Sequence, residues 1–282
     1  MLVLPNNREL RHFLSQSSSA GSLAFVPTMG ALHAGHLDLV RRASEAHPRV
    51  LVSIFVNPIQ FNTPDDLQHY PRQLEADIAA LREQNFCTAV YCPQPEDVYP
   101  EGPILRHDIP LKGLDQTMEG RFRPGHFNGV VTVVKRLFDL IEPQAAFFGE
   151  KDFQQVRVIQ EMTAHFQLPI RIVACPVVRD LDGLAYSSRN ALLLPHHRAE
   201  APQLYAFLQK VRTHFQSGSQ QSELTQLAER WAQSLKFGKL EYFEIADENT
   251  LFPLMDRSGP ARAFLVVRFN EVRLIDNLSL MP

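Results

Sequence analysis

Over the first 175 residues, short β-branched runs alternate with longer amphipathic stretches, and after Pro176 the alternation stops. This rhythm constrains the fold more than any other feature of the sequence. Strands separated by helix-length crossovers pair in parallel, so it specifies βαβ units and a mostly parallel sheet. The expected strands are Leu23 to Val26, Val50 to Val56, Ala89 to Cys92, Ala145 to Phe148 and Ile170 to Ala174. Between them apolar residues recur at helical spacing: Leu37, Leu39, Val40 and Ala43 within 35–46, and Leu74, Ile78 and Leu81 within 70–84. A third stripe, Val130, Val131, Val134, Leu137, Phe138 and Ile141, predicts a helix over 128–141, and a fourth helix is expected over 153–166.

Beyond Pro176 the chain reads as a charged, Ser-containing loop, then helical runs over 201–215 and 223–235 joined by Gln216-Ser217-Gly218-Ser219-Gln220-Gln221. Strands are expected at Leu240 to Ala246, Ala263 to Phe269 and Val272 to Ile275, with a tight turn at Phe269-Asn270-Glu271. The fold class is therefore α/β: a Rossmann-like, doubly wound parallel sheet over residues 1–175, followed by a second, smaller α+β domain over 176–282.

Charge narrows the partners. The 28 Lys and Arg residues nearly balance the 31 Asp and Glu residues, giving a formal net charge of −3. No basic block is present, which argues against a nucleic acid or an anionic membrane held by phosphate neutralisation and leaves small molecules as ligands. The opening residues, MLVLPNNREL, lack a basic n-region, an apolar core and a small-residue cleavage site, so a cytoplasmic location is expected. The three cysteines, Cys87, Cys92 and Cys175, have no zinc-like spacing and read as small buried hydrophobes.

Chemistry concentrates at Phe25-Val26-Pro27-Thr28-Met29-Gly30-Ala31-Leu32-His33-Ala34-Gly35-His36-Leu37, which joins the first expected strand to the first helix. In an open parallel sheet, ligands bind at the carboxyl ends of strands. Gly30 and Gly35 would let backbone amides approach a phosphate, and a helix starting near Gly35 brings the positive end of its dipole. Two imidazoles three residues apart can donate to phosphate oxygens that gain charge in a transition state. The plain alternative is that His33 and His36 cap the helix or lie on its surface.

His33-Ala34-Gly35-His36 resembles the HIGH motif of the nucleotidyltransferase superfamily, and the longer segment around it resembles the pantothenate synthetase (pantoate–β-alanine ligase) family. Further segments match that family in order: 52–61, 70–72, 119–130, 148–155, 182–190 and 273–277. The resemblance implies ATP-dependent condensation of (R)-pantoate with β-alanine through a pantoyl adenylate, releasing AMP and diphosphate. It also implies a homodimer and a second domain that closes over the ATP site.

Residue by residue, the resemblance puts Met29, Gly30, Ala31, Leu32, His33, Ala34, Gly35 and His36 at the ATP, together with Gly149, Glu150, Lys151 and Asp152. Val178 would contact adenine, and Tyr186, Ser187, Ser188 and Arg189 would form the strip that grips the triphosphate, Tyr186 standing where the family usually has Met or Leu. Gln60 and Gln155 would hold pantoate, with Gln60 also near β-alanine. His33, His36, Lys151 and Arg189 are the expected catalytic groups, since a lysine can neutralise the α-phosphate and an arginine fork can hold the departing phosphates. Asp77 is a candidate for Mg²⁺ accompanying ATP, or equally part of a polar helix face with Glu75. The stretch 119–126, with Arg121 and Arg123, reads as a lid, a wall of the pantoate site or a solvated basic loop. Other HIGH-type transferases and a silent nucleotide binder are the rivals; the Gln60 and Gln155 segments argue against the first, and the presence of all four catalytic residues against the second.

Overall fold

The structure is a computed structural model that describes residues 1–16, 21–61, 64–104, 109–254 and 259–281. The chain resolves into two compact units. The first comprises residues 1–150 and 155–176, the second residues 151–154 and 177–282. Lys151–Gln154, which interrupts the first unit along the chain, groups with the second unit.

The first unit is built on a six-stranded sheet in the order β1-β4-β3-β2-β5-β6. Its strands are β1 Leu2–Leu4, β2 Leu23–Thr28, β3 Arg49–Ile54, β4 Ala89–Tyr91, β5 Ala145–Gly149 and β6 Arg171–Cys175, and every pairing between them is parallel. Strand order proceeds outward from β2 through β3 and β4, then restarts on the other side of β2 with β5 and β6. The switch point between β2 and β5 is where such a sheet opens a ligand crevice. Five strands were expected, and the described residues form six in this sheet. The additional one, β1, is a three-residue edge strand bonded to β4, too short for any periodicity to register.

The helix Ala34–Ala46 buries Leu39, Val40 and Ala43 in a cluster with Val26, Val50, Val52 and Phe147 of the sheet. All three cysteines are buried and free, and burial pushes the Cys87 thiol up to about 12 and those of Cys92 and Cys175 up to about 11. They behave as small apolar residues. The helix expected from residue 128 begins at His126, because Gly125, at φ +79°, supplies its N-cap.

The second unit holds an antiparallel sheet in the order β7-β8-β9, made of Lys239–Asp247, Ala261–Phe269 and Val272–Ser279. The helices Gln203–Gln216 and Gln221–Ser234 pack Leu204, Leu208, Val211 and Leu224 against Ala263, Leu265, Val267 and Leu274. The β8–β9 hairpin turns at Asn270-Glu271, with Asn270 in the left-handed region that asparagine tolerates well. Strand β9 extends to Ser279, beyond the expected end at Ile275, so Asp276 and Asn277 are strand residues.

Candidate active site

The loop after β2 folds on itself. Gly30 lies at φ +78° and Ala31 at +49°, and a Cβ on Gly30 would stand 3.0 Å from Asp77 Oδ2 and 3.1 Å from Ile54 Cγ2. Glycine is needed there on both counts. Thr28 Oγ1 donates to Ser53 O at 2.7 Å and accepts from Gly30 N at 3.2 Å. Ala31 N donates to Asp77 Oδ2 at 2.9 Å and Leu32 N to Asp77 Oδ1 at 2.8 Å. The amides of residues 30–32 are thus engaged inside the loop.

The same bonds give Asp77, the magnesium candidate, a structural task inside the loop. Its side chain is 1% exposed, and each carboxylate oxygen holds a backbone amide. Among the described residues no group of three or more His, Cys, Asp or Glu side chains is placed to hold a metal.

What the end of this loop presents is a pair of imidazoles. His33 is the N-cap of Ala34–Ala46, and its Nδ1 accepts from Gly35 N at 3.2 Å. An accepting Nδ1 leaves the proton of the neutral ring on Nε2, so capping sets the tautomer that offers a donor. The rings of His33 and His36 stack with centroids 4.0 Å apart and planes 27° off parallel. Capping and phosphate donation, posed by the sequence as alternatives, use opposite nitrogens of His33 and are compatible.

Gln60 sits in a short 3₁₀ turn after β3 and is buried. Its Nε2 donates to Met29 Sδ at 2.9 Å, and its Oε1 accepts from Asn57 Nδ2 at 3.0 Å. The Tyr99 hydroxyl donates to Asn57 Oδ1 at 2.7 Å, and burial pushes that phenol upward. Behind Gln60, its carbonyl accepts from His126 Nδ1 at 2.8 Å, which makes Nε2 the acceptor for Arg123 Nη1 at 3.1 Å. A Cβ on Gly129 would come within 2.5 Å of Ile59 O, so close helix packing completes the support. The stretch 119–126 is accordingly no solvated loop: it contains the helix Met118–Phe122 with Met118, Glu119 and Gly120 buried, and Arg123 and His126 fasten it to Gln60. Sequence reasoning did not assign Asn57, Tyr99 or His126. Asn57 and His126 lie inside the family-like segments, but neither spacing nor composition marks any of the three.

At the end of β5, Gly149 has open space where a Cβ would be, and Glu150–Asp152 forms a 3₁₀ turn. Gln155 is half-buried in the helix Phe153–His165. Within the second unit, Lys151 Nζ lies 3.7 Å from Asp152 Oδ1. Segment 178–186 is a tight hairpin: Tyr186 N donates to Val178 O at 3.1 Å, Arg179 bridges Ala185, and Gly183 turns at φ +93° with a Cβ position only 2.8 Å from Tyr205. Arg179 grips Asp276 with both nitrogens, at 2.6 and 2.8 Å, and lies 3.7 Å over the Tyr205 ring. Arg198 holds Asp182 at 2.5 Å and Asp180 at 2.8 Å. These anchors root the Ser187-Ser188-Arg189 strip, in which Ser187 Oγ accepts from Arg189 N at 3.3 Å.

A family model described as pantoate-beta-alanine ligase matches residues 3–279. A pantothenate synthetase of Christiangramia forsetii is 45% identical over 266 residues, covering 93% of each chain. The crystal structure of pantothenate synthetase from Thermus thermophilus matches with a TM-score of 0.91 at 42% identity, covering 100% of both chains. That of a pantoate-beta-alanine ligase from Francisella tularensis, complexed with beta-gamma ATP and beta-alanine, matches with a TM-score of 0.83 at 34% identity, covering 99% of this chain and 98% of that one.

Proposed function

The chain belongs to the pantoate–beta-alanine ligase family, and on that premise we propose that it joins pantoate to β-alanine in two half-reactions through a pantoyl adenylate. The observation that carries the reading is a family match spanning residues 3–279, which takes in the paired imidazoles at a helix N-terminus. In the first half-reaction the pantoate carboxylate attacks the α-phosphorus of ATP and diphosphate leaves. His33 and His36 donate to the transferring phosphoryl group, Lys151 neutralises its growing charge, and Arg189 holds the departing diphosphate. In the second, the β-alanine amine attacks the acyl carbon of the mixed anhydride and AMP departs with the bonding electrons.

Gln60 and Gln155 hold the pantoate hydroxyls and carboxylate. Of its two donors and two acceptor sites, the Gln60 amide uses one of each on Met29 and Asn57, so the others serve the ligand. Among the described residues no group of three or more His, Cys, Asp or Glu side chains is placed to hold a metal; in this reading Mg²⁺ enters on the triphosphate as part of the substrate. A bound Mg²⁺ shields phosphate charge. The family reading also supports a homodimer in the cytoplasm, consistent with the absence, among the described residues, of a helix long and apolar enough to cross a membrane.

Isotope exchange between diphosphate and ATP tests the scheme. Exchange that requires pantoate but not β-alanine, with AMP turnover requiring all three substrates, is the expected result. Tight ATP binding with no pantoate-dependent exchange would overturn it.

A further inference from the structure

Lys151, Asp152, Phe153 and Gln154 follow β5 in the chain yet pack with the second unit. One amide side chain joins Lys151 to β9. Asn277 Nδ2 donates to Lys151 O at 2.9 Å, while Asn277 Oδ1 accepts from Arg262 Nη1 at 2.6 Å. Arg262 in turn donates to Glu248 Oε1 at 3.1 Å and lies 3.9 Å over the Phe153 ring. Asn277 and Arg262 are 2% and 6% exposed, so both ends of the amide are committed in a buried setting.

Neighbouring strand residues point to opposite faces of a sheet. Leu274 belongs to the cluster packed on the helices Gln203–Gln216 and Gln221–Ser234, and Asp276, two residues on, shares that face and holds Arg179 at the base of the 178–186 hairpin. Asn277 reaches the other face and holds Lys151. The two segments assigned to the nucleotide are thus fastened, through the sheet, to adjacent residues of one strand.

We propose that Asn277 is the positioning residue for Lys151, fixing the backbone from which the ammonium group reaches the α-phosphate. The proposal rests on the reading of Lys151 given above. A primary amide suits the position because it must donate to a carbonyl and accept from a guanidinium at once. Aspartate keeps the partner of Arg262 and loses the donor to Lys151. Loss of Asn277 therefore impairs adenylate formation and spares attack of β-alanine on the adenylate.

The test compares the wild type, Asn277→Asp, Asn277→Ser and Lys151→Ala in two assays: pantoate-dependent ATP–diphosphate exchange, and aminolysis of supplied pantoyl adenylate by β-alanine. The second rate counts folded, competent sites, so the ratio of the two is independent of how much of a variant folds. Both Asn277 variants should lower that ratio roughly 10- to 100-fold, the order of loss when a catalytic group is misplaced by about 1 Å. An unchanged ratio, or proportional loss of both rates up to complete inactivity, overturns the proposal and leaves Asn277 a structural residue. Lys151→Ala separates the two claims. If it spares exchange, the reading of Lys151 itself fails; if it abolishes exchange while the Asn277 ratios hold, only the present inference falls.

Discussion

Removing the Asp77 carboxylate should loosen the loop that carries His33 and His36. The helix Leu74–Gln84 delivers this side chain, 1% exposed, to the amides of Ala31 and Leu32 at 2.9 and 2.8 Å. Hydrogen bonds to a charged partner contribute about 1.5–3 kcal/mol each, and a buried amide left unsatisfied costs about 1–3 kcal/mol. Asp77→Ala orphans both amides, but the two losses share one loop and do not simply add. Relaxation of Ala31 out of φ +49° returns about 1 kcal/mol. The net cost is about 2–4 kcal/mol. Asp77→Asn retains one acceptor and turns its NH₂ toward the other amide, so roughly half of that is lost.

At about 2–4 °C per kcal/mol for units of this size, Asp77→Ala should lower Tm by about 4–16 °C and Asp77→Asn by about half as much. Because the imidazoles move with the loop, the KM for ATP should rise in the same order. The assay pairs thermal unfolding with initial rates over a grid of ATP and Mg²⁺ concentrations. An unchanged Tm, with activity restored by excess Mg²⁺, would refute the clamp and return Asp77 to the metal role its position in the sequence suggested.

Two further outcomes follow from the geometry. If His36 acts as a donor to phosphate, Asn, which keeps an N–H, should preserve more exchange activity than Ala; equal losses from His36→Asn and His36→Ala would refute the donor role. In the second unit, burial opposes the charge on Glu200, but the amides of Lys236, Gly238 and Phe237, at 2.7, 2.8 and 2.9 Å, outweigh it and hold its carboxyl below the ordinary glutamate range. A group with a depressed folded pKa stabilises fully above its unfolded value and loses that contribution as pH falls through the folded one. The wild type should therefore exceed Glu200→Gln by about 1–3 kcal/mol in urea unfolding at neutral pH, with the gap closing from about pH 4.3 downward; a gap constant with pH would sink the argument.

The parts of the fold legible in the sequence were those written in local periodicity. The stripe Leu39, Val40 and Ala43 marks the helix Ala34–Ala46 because a helix on a sheet must bury one face. The run Arg49–Ile54 is buried at every position, as a parallel strand covered on both faces must be. Strand β1 escaped because three residues carry no period, and β9 was cut short because Asp276 and Asn277 look like a turn when their partners, Arg179 and Lys151, lie far away in sequence.

The same distinction runs through the candidate site. His33, His36, Lys151 and Arg189 belong to contiguous motifs, so residue type and the family-like segments around them were enough to nominate them. The bonds that support the candidate site's segments act across long separations: Asp77 on Ala31, Tyr99 on Asn57, and Asn277 on Lys151. Each pairs a buried polar group with a complementary one, which pattern cannot reveal because burial and partner are products of the fold. Asp77 shows the consequence most plainly. A carboxylate in a nucleotide-binding chain suggests a metal ligand on residue type alone, and the fold adds a use that residue type could not show: it accepts from two amides within 3 Å and braces the turn at Ala31. Residue type supplies a list of possible chemistries, and the partners that the fold brings within reach narrow it.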